Sequence, residues 1–241
     1  MSKLKPERPR IAIIDFGMGN LFSVKQACEH VGLHAVITNK KEDVLSANGV
    51  ILPGVGAFGT AMAHLRALDL VSPIRDCVRG NKPVLGICLG MQLLMSQSEE
   101  FGIHEGLNVI KGPVVRFHDR TETGKLVKVP QVGWNKIMMP KGVGPRFWAQ
   151  TPLEGLDSGA YMYFVHSFYV KPENPGVILS VSQYGNLDYC SALRSGSVFA
   201  TQFHPEKSAQ KGLAIYERWT SLVVKHFTVS IQKNSQYIGV N

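Results

Sequence analysis

One cysteine, one histidine and one glutamate stand in patterns that could cleave an amide. Cys88 lies in Gly86-Ile87-Cys88-Leu89-Gly90, directly after the apolar run of residues 83–87. Gly-x-Cys-x-Gly between a strand and a helix is the nucleophile-elbow pattern with cysteine in place of serine. The glycines let the backbone pass closely on both sides of a sharp turn. The turn would lift the sulfur above a sheet edge and set it at a helix N-terminus, whose partial positive charge favours thiolate. The Leu89 N–H would then face a developing oxyanion. Taken alone, this pattern fits an ordinary strand–helix turn about equally well.

Phe203-His204-Pro205-Glu206 follows a second apolar run, residues 198–202. Residues two apart in an extended segment share a face, so Glu206 can hold the His204 ring. His204 could take the thiol proton and later protonate a leaving amine, the logic of a catalytic triad. Pro205 bars a helix there. A third element, Pro53-Gly54-Val55-Gly56, ends another apolar run and could supply a second N–H to an oxyanion.

These residues need a scaffold, and the first half of the chain offers one. Strands are expected at Arg10–Ile14, His34–Thr38, Gly49–Leu52 and residues 83–87. Helices are expected at Leu21–His30, at residues 57–70 with Met62, Leu65 and Leu68 inward, and opening over residues 89–95. Near-continuous apolar strands alternating with helices predict a mostly parallel central sheet covered on both faces. The second half reads as strands at residues 114–117, 125–129, 161–170, 177–184, 190–194 and 198–203, then an amphipathic helix over 209–224. The fold class is therefore α/β, with helices on both faces of the sheet and an antiparallel β extension.

Composition narrows the class. Hydrophobic residues make up 44% of the 241 and charged residues 18%, a globular balance. No stretch reaches the roughly 18 apolar residues of a membrane helix. The run 11–14 is too short for a signal-peptide core, which points to the cytoplasm. Cys28, Cys77, Cys88 and Cys190 are widely spaced, which argues against a disulfide framework or a zinc site. The net charge of +8 fits an anionic substrate or acidic partner, but no arginine-rich or aromatic–basic pattern supports nucleic acid.

Read together, PGVGAFG (53–59), GICLGMQLL (86–94), SEE (98–100), VGWN (132–135), YFVHS (163–167), FHPEKS (203–208) and DFGMGNL (15–21) resemble class I glutamine amidotransferases. More narrowly they are similar to the glutaminase subunits of imidazole glycerol phosphate synthase. The resemblance runs from about Arg10 to Lys225. It implies a basic N-terminal extension (residues 1–9), an amidotransferase domain (10–226) and a C-terminal tail (227–241). It implies glutamine hydrolysis through a glutamyl thioester, with no cofactor. Ammonia would pass to a partner (β/α)8-barrel cyclase that makes imidazole glycerol phosphate and aminoimidazole carboxamide ribotide in histidine biosynthesis.

Carried over by position, the resemblance makes Cys88 the nucleophile, His204 the base and acid, and Glu206 its orienter. Val55 and Leu89 become the oxyanion pair. Gly56, Gln92, Glu100 and Ser167 become glutamine-binding positions. Asn20, Trp134, Asn135, Tyr163 and Lys207 would face the partner. His166 is expected near the site without a catalytic role. One departure stands out: the family pattern before Gly-Trp is Pro-His-Met, and here it is Pro130-Gln131-Val132. It keeps open a paralogous glutaminase feeding surface-sugar amidation. Amidotransferases of anthranilate, guanylate or pyridoxal phosphate synthesis, a γ-glutamyl hydrolase, and a catalytically silent regulatory module are further alternatives.

Overall fold

The computed structural model describes residues 8–121 and 123–238; most of the basic N-terminal extension and residues 239–241 lie outside them. The elements run β1 (Arg10–Ile14), α1 (Leu21–His30), β2 (His34–Thr38), α2 (Lys41–Ser46), β3 (Gly49–Leu52), α3 (Phe58–Ala67), α4 (Val71–Arg79), β4 (Val84–Ile87) and α5 (Leu89–Leu93). They continue with β5 (Met95–Ser98), β6 (His104–Glu105), β7 (Ile110–Arg116), β8 (Gln131–Ile137), β9 (Ala160–His166), β10 (Phe168–Val170), β11 (Ile178–Tyr184), β12 (Leu187–Ser195), β13 (Val198–Thr201) and α6 (Ala209–Ile238).

The main sheet has seven strands in the order β11-β12-β13-β4-β3-β1-β2. From β13 to β2 neighbours are parallel, and β11-β12-β13 extend the sheet antiparallel. Strands β3, β4 and β13 are buried at every position, as expected of strands covered on both faces. Separate hydrophobic clusters pack on the two faces, one around Trp148, Phe164 and Trp219, the other around Phe16, Phe58 and Leu65. Helix α3 buries Phe58, Ala61, Met62 and Leu65, the i, i+3, i+4, i+7 stripe of a surface helix.

The α/β class and the parallel order match the sequence reading; several boundaries do not. The helix expected over 57–70 stops at Ala67, and α4 follows it, carrying Pro73 in its first turn where proline is tolerated. The helix opening at Leu89 lasts only to Leu93, and the chain then enters β5. Residues 161–170 form two strands in different sheets: β9 pairs with β8, while β10 pairs with β7. Residues 125–129 form no strand, although Leu126 makes an isolated bridge with Arg120. Helix α6 continues past residue 224, where the sequence reading ended it.

What this arrangement positions is one edge. Ile87 pairs with Thr201, and Leu52 aligns with Gly86. The carboxyl ends of β3, β4 and β13 therefore lie side by side, with β4 central. In open parallel sheets, ligands bind at this edge. Cys88, the Val55 loop and His204 follow those three strand ends directly.

Candidate active site

Cys88 sits at the elbow with φ 53° and ψ −107°, a left-handed conformation unusual for a residue with a β-carbon. The surroundings enforce it. The Cys88 N–H donates to the Thr201 carbonyl at 2.7 Å, tying the elbow to β13. A β-carbon at position 90 would meet the Leu52 carbonyl oxygen at 1.7 Å, so only glycine lets α5 leave the sheet this steeply. Leu89 opens α5, so its N–H has no acceptor within the helix.

His204 Nδ1 and Glu206 Oε1 lie 2.8 Å apart, with both side chains buried. With Nδ1–H donated to the carboxylate, Nε2 is the remaining ring nitrogen; it is buried and carries no hydrogen bond. Burial acts to lower the histidine pKa. The negative charge that Cys88 can carry beside the ring, together with Glu206, outweighs burial and pushes the pKa up to about 10. The raised value belongs to an imidazolium paired with thiolate and carboxylate.

A cavity of about 270 Å³ opens beside Cys88, lined by Val55, Gly56, Leu89, Gln92, Glu100 and Ser167, with Pro130 and residues 165, 166 and 168 completing it. It is slightly below the range of about 300–1,000 Å³ for cavities that take drug-sized ligands, and so suits one small molecule. Three larger clefts lie elsewhere, two toward the opposite end of the sheet and one beyond the ends of β1 and β2; none of them is lined by a cysteine. Cys88 and the expected oxyanion and glutamine positions all line the smaller cavity, while His204 and Glu206 are buried outside its lining.

Several lining residues have second duties. Glu100 Oε2 accepts the Phe58 N–H at 2.5 Å, so this carboxylate also caps α3. Gln92 Nε2 donates to the Phe168 carbonyl at 3.0 Å and to Gln202 Oε1 at 3.1 Å. Both amide protons are spent, so toward a ligand Gln92 can only accept. His166 Nδ1–H donates to Phe168 O at 2.8 Å. Burial holds its pKa down at about 4, so the ring is neutral. Its Nε2 lies 3.4 Å from the Tyr189 hydroxyl, which donates to Gln131 Oε1 at 3.0 Å.

The positions expected to face a partner divide. Trp134 and Tyr163 are paired across β8 and β9 and meet edge-to-face at 6.1 Å; Lys207 Nζ lies 6.0 Å over the Tyr163 ring. Trp134 is 54% exposed, which is not how a core tryptophan sits. Asn20 is half-buried at the start of α1. Asn135 instead turns its amide to the Gln183 carbonyl at 2.9 Å.

Gln202 escaped the sequence reading. Its Nε2 lies 3.5 Å from Cys88 Sγ. The signal was available: Gln202 is two residues before His204 and, by strand alternation, on its face.

The sequence matches the family described as Glutamine amidotransferase class-I over residues 12–219. It is 49% identical to the imidazole glycerol phosphate synthase subunit HisH of Syntrophotalea carbinolica, over 87% of this chain and 98% of the relative. The HisH subunit of Rhodopirellula baltica is 44% identical over 89% and 98%. The chain belongs to the class I glutamine amidotransferases, and among them to the HisH family. Solved structures agree on the fold of this amidotransferase. One described as a glutamine amidotransferase superposes with TM-score 0.65 at 19% identity, over 88% of this chain and 98% of that one. The glutaminase domain of Trypanosoma brucei CTPS gives 0.61 at 18%, over 90% and 94%.

Proposed function

We propose that this amidotransferase is the glutaminase component of an imidazole glycerol phosphate synthase, acting in the cytoplasm on L-glutamine for a (β/α)8-barrel cyclase partner. The observation that carries the reading is the buried His204–Glu206 pair, 2.8 Å apart, at the strand end adjoining the Cys88 elbow and its small cavity. The relatives named as HisH subunits point to the acceptor side.

In this reading His204 Nε2 takes the thiol proton and the Cys88 sulfur attacks the carboxamide carbon. The oxyanion is met by the Leu89 N–H and that of Val55. As the C–N bond breaks, His204 returns the proton to the leaving nitrogen and ammonia departs, leaving a glutamyl thioester. Water, deprotonated by His204, then attacks; the C–S bond breaks, glutamate leaves and the thiol is restored. Gln92 Oε1 and Glu100, both acceptors, suit the α-ammonium of glutamine, and Gly56 and Ser167 complete the wall.

The β8–β9 ribbon supports docking. Its outer face presents Val132, Trp134 and Lys136 beside Tyr161, Tyr163 and Val165, and Val165 also meets the nucleophile, with Cys88 Sγ 3.8 Å from its carbonyl. Lys207 joins this face over the Tyr163 ring.

The test is glutamate release from glutamine by the chain alone and with the cyclase of the same organism plus its ribotide. Strong stimulation, abolished by Cys88→Ala, is expected. Hydrolysis without stimulation would move the acceptor elsewhere. No hydrolysis and no labelling of Cys88 by a glutamine analogue would overturn the reading.

A further inference from the structure

A chain of hydrogen bonds ends on the nucleophile's sulfur. Phe168 O accepts from Gln92 Nε2, Gln202 Oε1 accepts from the same nitrogen, and Gln202 Nε2 donates to Cys88 Sγ at 3.5 Å. The two ends of a carboxamide have nearly the same shape, so its orientation must come from its partners. Here they fix it. A peptide carbonyl only accepts, so the Gln92 atom facing Phe168 is its NH2 group. That group also faces Gln202, which must answer with its oxygen. Gln202 is then obliged to turn its NH2 toward the sulfur.

The clamp is rigid. Gln202 is fully buried, and its own N–H donates to the Ser191 carbonyl at 2.9 Å. Phe168 O is held from a second side by His166 Nδ1. A sulfur accepts a hydrogen bond weakly as thiol and strongly as thiolate, because bonds to an ionised acceptor are roughly twice as strong. A donor locked in this position therefore favours the ionised form. An apolar side chain of the same length would fill the space without that preference.

We infer that Gln202 is a positioning residue for the nucleophile: its amide, oriented by Gln92, aims the Cys88 sulfur and favours its thiolate. The inference rests on the reading of Cys88 as glutaminase nucleophile. It also ties substrate to sulfur, since Gln92 lines the cavity and orients Gln202.

The experiment follows alkylation of Cys88 by iodoacetamide against pH, without glutamine, in the full chain carrying Gln202→Met or Gln202→Glu. Mass spectrometry separates Cys88 from the other three thiols, and circular dichroism reports folding. Gln202→Met is expected to raise the midpoint by about one pH unit, a roughly tenfold loss of thiolate below it. Gln202→Glu, nearly identical in shape, raises it further because a carboxylate then faces the sulfur. If Gln202→Met does not fold, Gln202→Glu alone decides. An unmoved midpoint in a folded variant overturns the inference. Glutamate release by the unmutated chain with its cyclase is measured in parallel. Release with an unmoved midpoint removes the inference and spares the glutaminase reading. A shifted midpoint without release keeps the sulfur contact and removes that reading.

Discussion

Tyr163 and His204 are joined through their backbones: the His204 N–H donates to the Tyr163 carbonyl at 2.9 Å. Ser208 closes the link, its hydroxyl accepting the Tyr163 N–H at 3.0 Å and donating to the His204 carbonyl at 2.7 Å. The outward-facing aromatic ribbon and His204 are thus tied together through three hydrogen bonds. Ser208→Ala would leave the Tyr163 N–H unpaired, costing about 1–3 kcal/mol, while the His204 carbonyl keeps the Lys207 N–H. The expected outcome is a lower urea midpoint together with slower alkylation of Cys88 by a glutamine analogue. Loss of stability with full reactivity would show that the link does not hold His204.

Lys207 follows Glu206 directly and lies over the Tyr163 ring. If it reports docking, Lys207→Ala should lower cyclase-stimulated turnover at least tenfold, about 1.4 kcal/mol, while analogue labelling of the isolated chain is unchanged. Full stimulation in the variant would assign Lys207 to the solvated surface.

The His204 charge also enters stability. Its folded pKa, about 10, lies above the ordinary histidine value of 6.5. This contribution is complete below about pH 6.5 and is lost as pH rises toward 10. Cys88→Ala removes the charge that helps raise it, so the contribution should be smaller and its loss complete at lower pH. Melting temperature against pH from 6 to 10, for both proteins, checks this; superimposable curves would contradict the coupling of Cys88 to His204.

His166 has the opposite sign. Burial depresses its pKa to about 4, so the unfolded chain binds the proton first as pH falls. Stability should fall between about pH 6.5 and pH 4 by on the order of 3 kcal/mol, since each pH unit separating the folded and unfolded pKa is worth about 1.4 kcal/mol. His166→Gln, which can still donate to Phe168 O, should flatten this acid limb in urea titrations at pH 4.5 and 7. An equal slope in both proteins would place the acid sensitivity elsewhere.

How much of this was legible depends on what a residue's neighbours in sequence reveal. The parallel strands announce themselves because Ile11–Ile14, Val50–Leu52 and Val84–Ile87 must be apolar on both faces. The Cys88 elbow and His204-Pro205-Glu206 are local patterns whose spacing already fixes their geometry. Strand partners are not local. Residues 161–170 read as one strand because nothing in them says that β9 pairs with β8 while β10 joins β7. The same holds for Glu100, whose second duty as cap of α3 depends on a residue 42 positions away. Gln202 needed Gln92, 110 positions off, before its amide acquired a direction.

Gly90 offers the sharpest steric test. Its added β-carbon would fall 1.7 Å from the Leu52 carbonyl oxygen and 2.7 Å from the carbonyl carbon, both backbone atoms that cannot rotate aside. Relief requires α5 to shift, and α5 carries Leu89, whose N–H is proposed to meet the oxyanion, and Gln92, which bonds Gln202. Gly90→Ala should therefore lose stability at the exceptional end of single substitutions, more than about 4 kcal/mol. Any folded fraction should label poorly at Cys88. Gly144→Ala is the control, since nothing lies within 4 Å of its added carbon. Gly90→Ala with the urea midpoint and labelling rate of the control would mean that the elbow tolerates a displacement the close approach of α5 to β3 forbids.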